Sequence, residues 1–147
     1  MPYWRLVYHI VWSTRGREPL LDGEDERIVE RSVRTTLRSF GAIAHAVGVM
    51  PDHVHVAASI PSSIPLSEVV GRMKGAAAHA LNHTAPRSRE VPFAWQGEYG
   101  VLSFGERALP DVIAYVRNQR EHHAAQRLWP SLERMAEQAG TAAAGGR

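Results

Sequence analysis

The chain has 147 residues, of which 44% are hydrophobic, 17 are basic and 15 are acidic. This composition suits one domain with one core, and it excludes a disordered chain. The absence of cysteine excludes disulfides and a thiolate zinc site. No apolar run approaches the roughly 20 residues of a membrane span. The start of the chain lacks a signal-peptide pattern, so we expect a cytoplasmic protein with no membrane partner.

Hydrophobic periodicity predicts strands and helices in alternation along the chain. The first strand has Tyr8, Ile10 and Trp12 on one face. Predicted strands cover residues 3–13, 43–50 and 53–60, and the segment 95–104 holds a fourth strand around residues 99–102. Predicted helices cover residues 24–40, 67–82 and 110 to about 127. Ser67 would cap the second helix, and Pro110 suits the first turn of the third.

The order of these elements predicts the fold. Strand, helix, strand, strand, helix, strand is the order of an α+β, ferredoxin-like (RRM-like) βαββαβ sandwich, here with an added C-terminal helix. We predict an antiparallel sheet with helices on one face, the other face being left for function or for a partner. Residues 1–130 would form a single domain, and residues 131–147 a short, partly disordered tail.

A pair of histidines on the predicted third strand is the first candidate for chemistry. Because side chains alternate along a strand, Val54 and Val56 would face the helices, and His53 and His55 the other side. Imidazoles roughly 7 Å apart on a strand could bind one divalent ion. The alternative is two ordinary exposed histidines. His9 could lie near the pair if the first strand neighbours the third, or it could make a structural hydrogen bond.

The predicted third helix carries the second group of polar side chains. Tyr115, Gln119 and His122 fall on one arc of this helix. The phenol could act as a nucleophile, the amide oxygen as a third metal ligand, and His122 could contact the metal or a phosphate. The alternative is a half-buried Tyr115 with a solvated hydroxyl.

Together, the two groups of side chains suggest phosphoryl chemistry. A metal held by two histidines and an amide keeps positions open for a phosphate oxygen. A tyrosine could then attack phosphorus and form a covalent link. That link conserves the energy of the phosphodiester, so a 3′-hydroxyl could reseal it without ATP. Strand exchange fits this chemistry better than simple hydrolysis.

Several segments, in order along the chain, resemble one known family. They are residues 8–15, 50–56 (Met-Pro-Asp-His-Val-His-Val), 71–75, 93–103 and 115–123. The second is similar to the metal-binding HUH motif (His, hydrophobic, His). The set resembles the insertion sequence 200-like, single-tyrosine transposases, in particular the branch associated with repetitive extragenic palindromes.

The resemblance implies a metal-dependent DNA transposase or endonuclease. It would cut and rejoin single-stranded hairpin DNA through a 5′-phosphotyrosine intermediate. Tyr115 would be the nucleophile, and His53, His55 and Gln119 would hold magnesium or manganese. Members of the family are often homodimers that share their active sites, although some members of this branch work as monomers.

Basic and aromatic residues near these segments are candidates for DNA binding. They are Arg15, Arg17, Arg72, Lys74 and Tyr99. Solvated basic side chains are the alternative for the four cations. An alternative for the whole chain is a non-catalytic module that binds hairpin DNA or RNA on the same fold. The presence of Tyr115 together with both histidines argues against that alternative.

Overall fold

The computed structural model describes residues 5–83 and 91–119. Within these ranges the strands are β1 (Val7–Ser13), β2 (Ile43–Val49), β3 (His53–Ser59) and β4 (Gly100–Phe104). The α-helices are α1 (Gly23–Ser39), α2 (Leu66–His83) and α3 (Leu109–Arg117), with short 3-10 turns at Arg15–Arg17 and Glu106–Ala108. All strand pairs are antiparallel, in the order β2-β3-β1-β4. This confirms the predicted ferredoxin-like fold with an added helix.

The main core lies between the sheet and helices α1 and α2. Helix α1 is capped at its N-terminus by Asp22, whose side chain forms a capping box with Asp25. The buried apolar residues of the two helices are Val29, Val33, Leu37, Val69, Val70, Met73, Ala77 and Leu81. They form one cluster with the sheet residues Ile10, Trp12, Val54 and Val56. This packing fixes the side of β3 on which its histidines must lie.

Helix α3 packs against the opposite face of the sheet. Val112 and Val116 cluster with Ala46 and Ala57, and Tyr115 clusters with Val11. The prediction that helices cover only one face of the sheet is therefore wrong. That face carries apolar residues as well as histidines, and α3 removes those apolar side chains from water.

A glycine permits the close approach of α3. Gly48 lies on β2 directly opposite His55 of β3. A Cβ at this position would overlap the carbonyl oxygen of Val116 and would lie 3.3 Å from Cγ of Gln119. The end of α3 can therefore pack on the sheet beside the histidine pair only because residue 48 has no side chain.

Some predicted boundaries differ from the structure. Helix α2 begins at Leu66, because the carbonyl of Pro65 already accepts from the amides of Glu68 and Val69. Ser67 therefore lies in the first turn rather than at the cap. The fourth strand, predicted around residues 99–102, is β4 at Gly100–Phe104, and Trp95 makes an isolated bridge to Thr14.

Other predicted elements extend to or beyond the ends of the described ranges. Strand β1 is described from Val7, and α3 ends at Arg117 with Asn118 as its C-cap. The predicted continuation of this helix to residue 127 and the tail at 131–147 lie outside the described residues. None of the helices within the described ranges is long and apolar enough to cross a membrane.

Candidate active site

Two imidazoles lie side by side on the α3 face of β3. The ring centroids of His53 and His55 are 4.9 Å apart, and the ring planes are inclined by 72°. Only 2% of His53 and 0% of His55 is exposed. The two side chains therefore share one face as the alternation predicts, and the alternative of two exposed histidines is wrong.

The Nδ1 atom of each imidazole is held by a different partner. Nδ1 of His53 lies 2.6 Å from Oδ1 of Asp52, and Nδ1 of His55 lies 2.8 Å from Nε2 of His9. Because the Nδ1 atoms are engaged in this way, Nε2 is the atom through which either ring would coordinate a metal. His9 itself is fully buried, and burial lowers its pKa to about 4.

A basic side chain supports the carboxylate that holds His53. Nη2 of Arg17 lies 3.5 Å from Oδ2 of Asp52. Burial raises the pKa of Asp52, but its hydrogen bond and charge interaction with His53, together with the charge of Arg17, outweigh burial and hold that pKa below its ordinary value. Asp52 therefore presents a carboxylate to the ring of His53. Arg17 adopts a left-handed φ of 54°, a conformation that costs a non-glycine residue about 1 kcal/mol.

Helix α3 brings a phenol and an amide to the histidine pair. The ring centroids of Tyr115 and His55 are 6.1 Å apart, at an interplanar angle of 77°. Tyr115 is 4% exposed and Gln119 is 2% exposed, so Tyr115 is buried rather than half-buried. Nε2 of Gln119 donates to the carbonyl of Tyr115 at 3.2 Å, which fixes the end of the amide that carries the oxygen. The structure thus places these residues on one side of the sheet.

The available donor atoms fit a small divalent ion. Imidazole nitrogens and an amide oxygen are ligands that Mn²⁺ accepts, and Mg²⁺ prefers oxygen and keeps several waters. Within residues 5–83 and 91–119 no group of three His, Cys, Asp or Glu side chains is arranged to hold a metal. Cγ of Gln119 lies beside Gly48, the residue opposite His55 in the sheet.

The five DNA-binding candidates do not form one cluster. Lys74 donates to the carbonyls of Gln96 and Glu98 at 2.5 and 3.2 Å. Burial lowers the pKa of Lys74, and the charge of Glu98 opposes this. Lys74 thus ties the segment before β4 to α2.

The other candidates differ in exposure. Arg72 is exposed on α2, with its guanidinium 6.0 Å from the ring centre of Phe40. Arg15 is exposed at the rim of a cavity of 280 Å³, whereas Arg17 pairs with Asp52. Tyr99 is half-buried against the main core. His122 lies outside the described residues.

Replacing Lys74 with Met is expected to reduce stability, whereas replacing Arg72 with Met is not. Loss of two hydrogen bonds from an ammonium group should lower the free energy of unfolding by about 1.5–3 kcal/mol. The matched change at exposed Arg72 should leave unfolding within about 0.5 kcal/mol of the unchanged protein. Urea denaturation followed by circular dichroism measures both variants. Equal stability of the two variants would contradict the assigned role of Lys74.

A cleft beside the site is lined by charges of both signs. It has a volume of about 330 Å³ and lies between α1, β2 and the end of α3. Gln119 and Gly48 line it, but so do the carboxylates of Glu26 and Glu30. Arg117 also lines the cleft, and Glu30 pairs with Arg34 at 3.2 Å.

Sequence reasoning assigned no role to Gly48 and Asp52, and it left two roles open for His9. Gly48 carries no recognisable signal in the sequence, because its importance depends on where α3 packs. Asp52 was visible as the residue before His53, and its hydrogen bond to that ring could have been inferred. A place for His9 near the histidine pair depended on the first strand lying next to the third. Strands β1 and β3 do pair, and His9 forms a hydrogen bond with His55 itself.

Comparisons with known proteins place the chain among the transposases. The sequence profile of the family described as "Transposase IS200 like" matches residues 2–119. The chain therefore belongs to the IS200-like transposase family. At this coarse level it is an enzyme of DNA cleavage and strand transfer, from a family that is generally metal-dependent.

Individual relatives agree with this assignment. The chain is 26% identical over 121 residues to the ISDra2 transposase TnpA of Deinococcus radiodurans, covering 80% of this chain and 86% of the relative. A crystal structure from D. radiodurans, of a protein assigned provisionally as a transposase, is 25% identical with a TM-score of 0.64; the match covers 81% of this chain and 95% of the other. A tyrosine transposase associated with REP sequences, solved bound to a REP hairpin, has a TM-score of 0.62 at 15% identity, covering 84% of this chain and 74% of that one. This last likeness shows the fold alone.

Proposed function

We propose that this chain is a metal-dependent, single-tyrosine HUH transposase that cuts and rejoins single-stranded hairpin DNA through a 5′-phosphotyrosine intermediate. The observation that carries the proposal is the grouping of His53, His55, Gln119 and Tyr115 between β3 and α3. Family membership supports chemistry on DNA. The neighbour solved with a REP hairpin shares the fold, and its bound hairpin suggests the kind of DNA to test.

The metal would be held by the two imidazoles and the amide. His53 and His55 would bind through Nε2, because Asp52 and His9 occupy the Nδ1 side of the rings. Gln119 would contribute its amide oxygen. Bound Mg²⁺ or Mn²⁺ would withdraw charge from the phosphate and orient the scissile bond.

Tyr115 would carry the covalent step. Its hydroxyl loses a proton to solvent, and the phenolate oxygen attacks phosphorus. The bond from phosphorus to the 3′-oxygen breaks, and that oxygen takes up a proton to become a 3′-hydroxyl. The DNA is then joined to Tyr115 through its 5′-phosphate. Attack by a 3′-hydroxyl reverses these events, so rejoining needs no ATP.

One chain would be sufficient to build this site. The tyrosine on α3 lies 6.1 Å, between ring centroids, from a histidine of the same chain. The short turn Glu106–Ala108 leads from β4 directly into α3, which packs on its own sheet. This arrangement supports a site whose tyrosine and histidine pair belong to the same chain.

Replacing His53 or His55 with alanine is expected to remove metal-dependent cleavage. Loss of one imidazole ligand should cost at least about 100-fold in metal affinity or activity, as even the removal of outer-sphere partners costs 10–100-fold. The assay uses labelled single-stranded hairpin DNA from the flanks of the gene, with Mg²⁺ or Mn²⁺, on a denaturing gel.

The control for this assay is His79→Ala, because His79 is exposed on α2. This variant should cleave as the unchanged protein does. Unchanged metal dependence in both His53→Ala and His55→Ala would refute the ligand assignment. Tight hairpin binding by the unchanged protein, without cleavage under either metal, would favour the non-catalytic binding module instead.

A further inference from the structure

His9 is a fully buried histidine whose side chain meets the candidate metal site from the neighbouring strand. In the β1–β3 pairing, Val11 lies opposite His55 and His9 lies opposite Ala57. His9 and His55 are therefore diagonal neighbours on the α3 face, within reach of each other. Their ring centroids are 4.9 Å apart at an interplanar angle of 30°, and Nε2 of His9 is 2.8 Å from Nδ1 of His55.

The burial of His9 costs free energy that a purely apolar packing role would not explain. Its Nδ1 has no hydrogen-bond partner among the residues that the structure describes. Burying an imidazole with half of its hydrogen-bonding capacity unmet costs more than burying an apolar side chain of similar size. The contact with His55 is therefore the feature that distinguishes His9 from a leucine or phenylalanine at this position.

The hydrogen bond has a direction that depends on where the protons lie. A neutral imidazole carries one proton, and the other nitrogen has the lone pair. For His55 to coordinate through Nε2, its proton must be on Nδ1 and must be donated to His9. If His9 were the donor, the proton of His55 would lie on Nε2, where it would block coordination.

For His53, the other histidine of the pair, the direction of the corresponding hydrogen bond is fixed by its partner. The partner of His53 is the carboxylate of Asp52, which only accepts hydrogen bonds when ionised. Carboxylates and other acceptors behind metal-binding histidines fix both the tautomer and the ring orientation. At His55 an imidazole occupies the place that a carboxylate occupies at His53.

We propose that His9 is a positioning residue that accepts a hydrogen bond from Nδ1 of His55 and thereby directs Nε2 of His55 toward the metal. The inference rests on the proposed role of His55 as a ligand. It assigns His9 no contact with the metal or the DNA. Phe104, whose ring centroid is 6.4 Å from that of His9, helps to hold the ring in place.

The direct test reads the tautomer in the metal-free protein. Two-bond ¹H–¹⁵N NMR correlations at neutral pH distinguish a proton on Nδ1 from one on Nε2. In the unchanged protein we expect His55 to carry its proton on Nδ1, and we expect His9→Leu to lose this preference. A proton on Nε2 of His55 in the unchanged protein would overturn the proposal, whatever the variant does.

A second test measures Mn²⁺ binding by calorimetry without DNA. His9→Leu should weaken binding by roughly 10–100-fold, the usual cost of losing such a partner. His9→Gln, whose amide oxygen can accept in place of Nε2, should recover at least about tenfold of that loss. His45→Leu is the matched control, because His45 bonds the hydroxyl of Ser59 rather than a site residue.

The two tests separate the failure of this inference from the failure of the proposed function. Equal Mn²⁺ affinity in His9→Leu and the unchanged protein would overturn the role of His9 and leave the ligand role of His55 standing. Absence of Mn²⁺ binding by the unchanged protein would overturn the proposed ligand role, and with it the link from His9 to the metal. The NMR result would then still decide whether His9 sets the tautomer of His55.

Discussion

Replacing Tyr115 with phenylalanine is expected to abolish the covalent protein–DNA product while hairpin binding stays close to that of the unchanged protein. The variant keeps the buried ring that packs on Val11 and His55 but lacks the oxygen that would attack phosphorus. Removing a covalent nucleophile typically lowers turnover by roughly 10⁴-fold or more. Denaturing gels measure the covalent product, and fluorescence anisotropy with labelled hairpin measures binding.

The matched control for this change is Tyr8→Phe. Tyr8 is half-buried against the main core, on the sheet face opposite the site. Its replacement removes the same hydroxyl group and should leave cleavage unchanged. Undiminished cutting by Tyr115→Phe would remove Tyr115 as the nucleophile. Equal loss of binding and cutting in that variant would indicate a structural role for its hydroxyl.

Replacing Gly48 with alanine is expected to damage both stability and activity. The added Cβ would overlap a backbone oxygen, that of Val116, which cannot move unless α3 moves with it. Such overpacking typically costs about 1–3 kcal/mol. The shift of α3 would also carry Tyr115 and Gln119 away from the histidines. A displacement of about 1 Å can reduce a rate by roughly 100-fold.

Gly71→Ala is the matched control for the added methyl group. Gly71 lies in α2, and a Cβ there would meet nothing within 4 Å. Because glycine inside a helix is unfavourable, this change should stabilise the protein by about 0.5–1 kcal/mol. Gly48→Ala should therefore lower both the melting temperature and the cleavage rate, whereas Gly71→Ala should raise the melting temperature without lowering the cleavage rate. A fully stable and fully active Gly48→Ala would contradict the close packing of α3 on β2.

The fold could be predicted largely from local pattern. Alternation along β3 placed His53 and His55 on the face away from α1 and α2, since Val54 and Val56 had to enter the core. The helical spacing of Tyr115 and Gln119 put both on one face of α3. Both placements follow from the local repeat of the backbone, which is 2 residues in a strand and 3.6 in a helix. They therefore do not depend on long-range packing.

The contacts across the site could not be predicted in this way. The covering of the second sheet face depends on where α3 packs, and the same contact gives Gly48 its importance. The hydrogen bond between His9 and His55 depends on the register between β1 and β3, which alternation does not specify. Lys74 was a candidate for phosphate binding, but its ammonium group donates to two carbonyl groups of a segment that is distant in sequence.

The most direct test of the central claim is to locate the covalent bond by mass spectrometry. The unchanged protein is incubated with hairpin DNA and Mn²⁺, then digested with nuclease and protease. The proposed function predicts a peptide containing Tyr115 with the mass of a 5′-nucleotide on the tyrosine, absent when EDTA is present. Cleaved DNA with no such adduct, or an adduct on another residue, would contradict it.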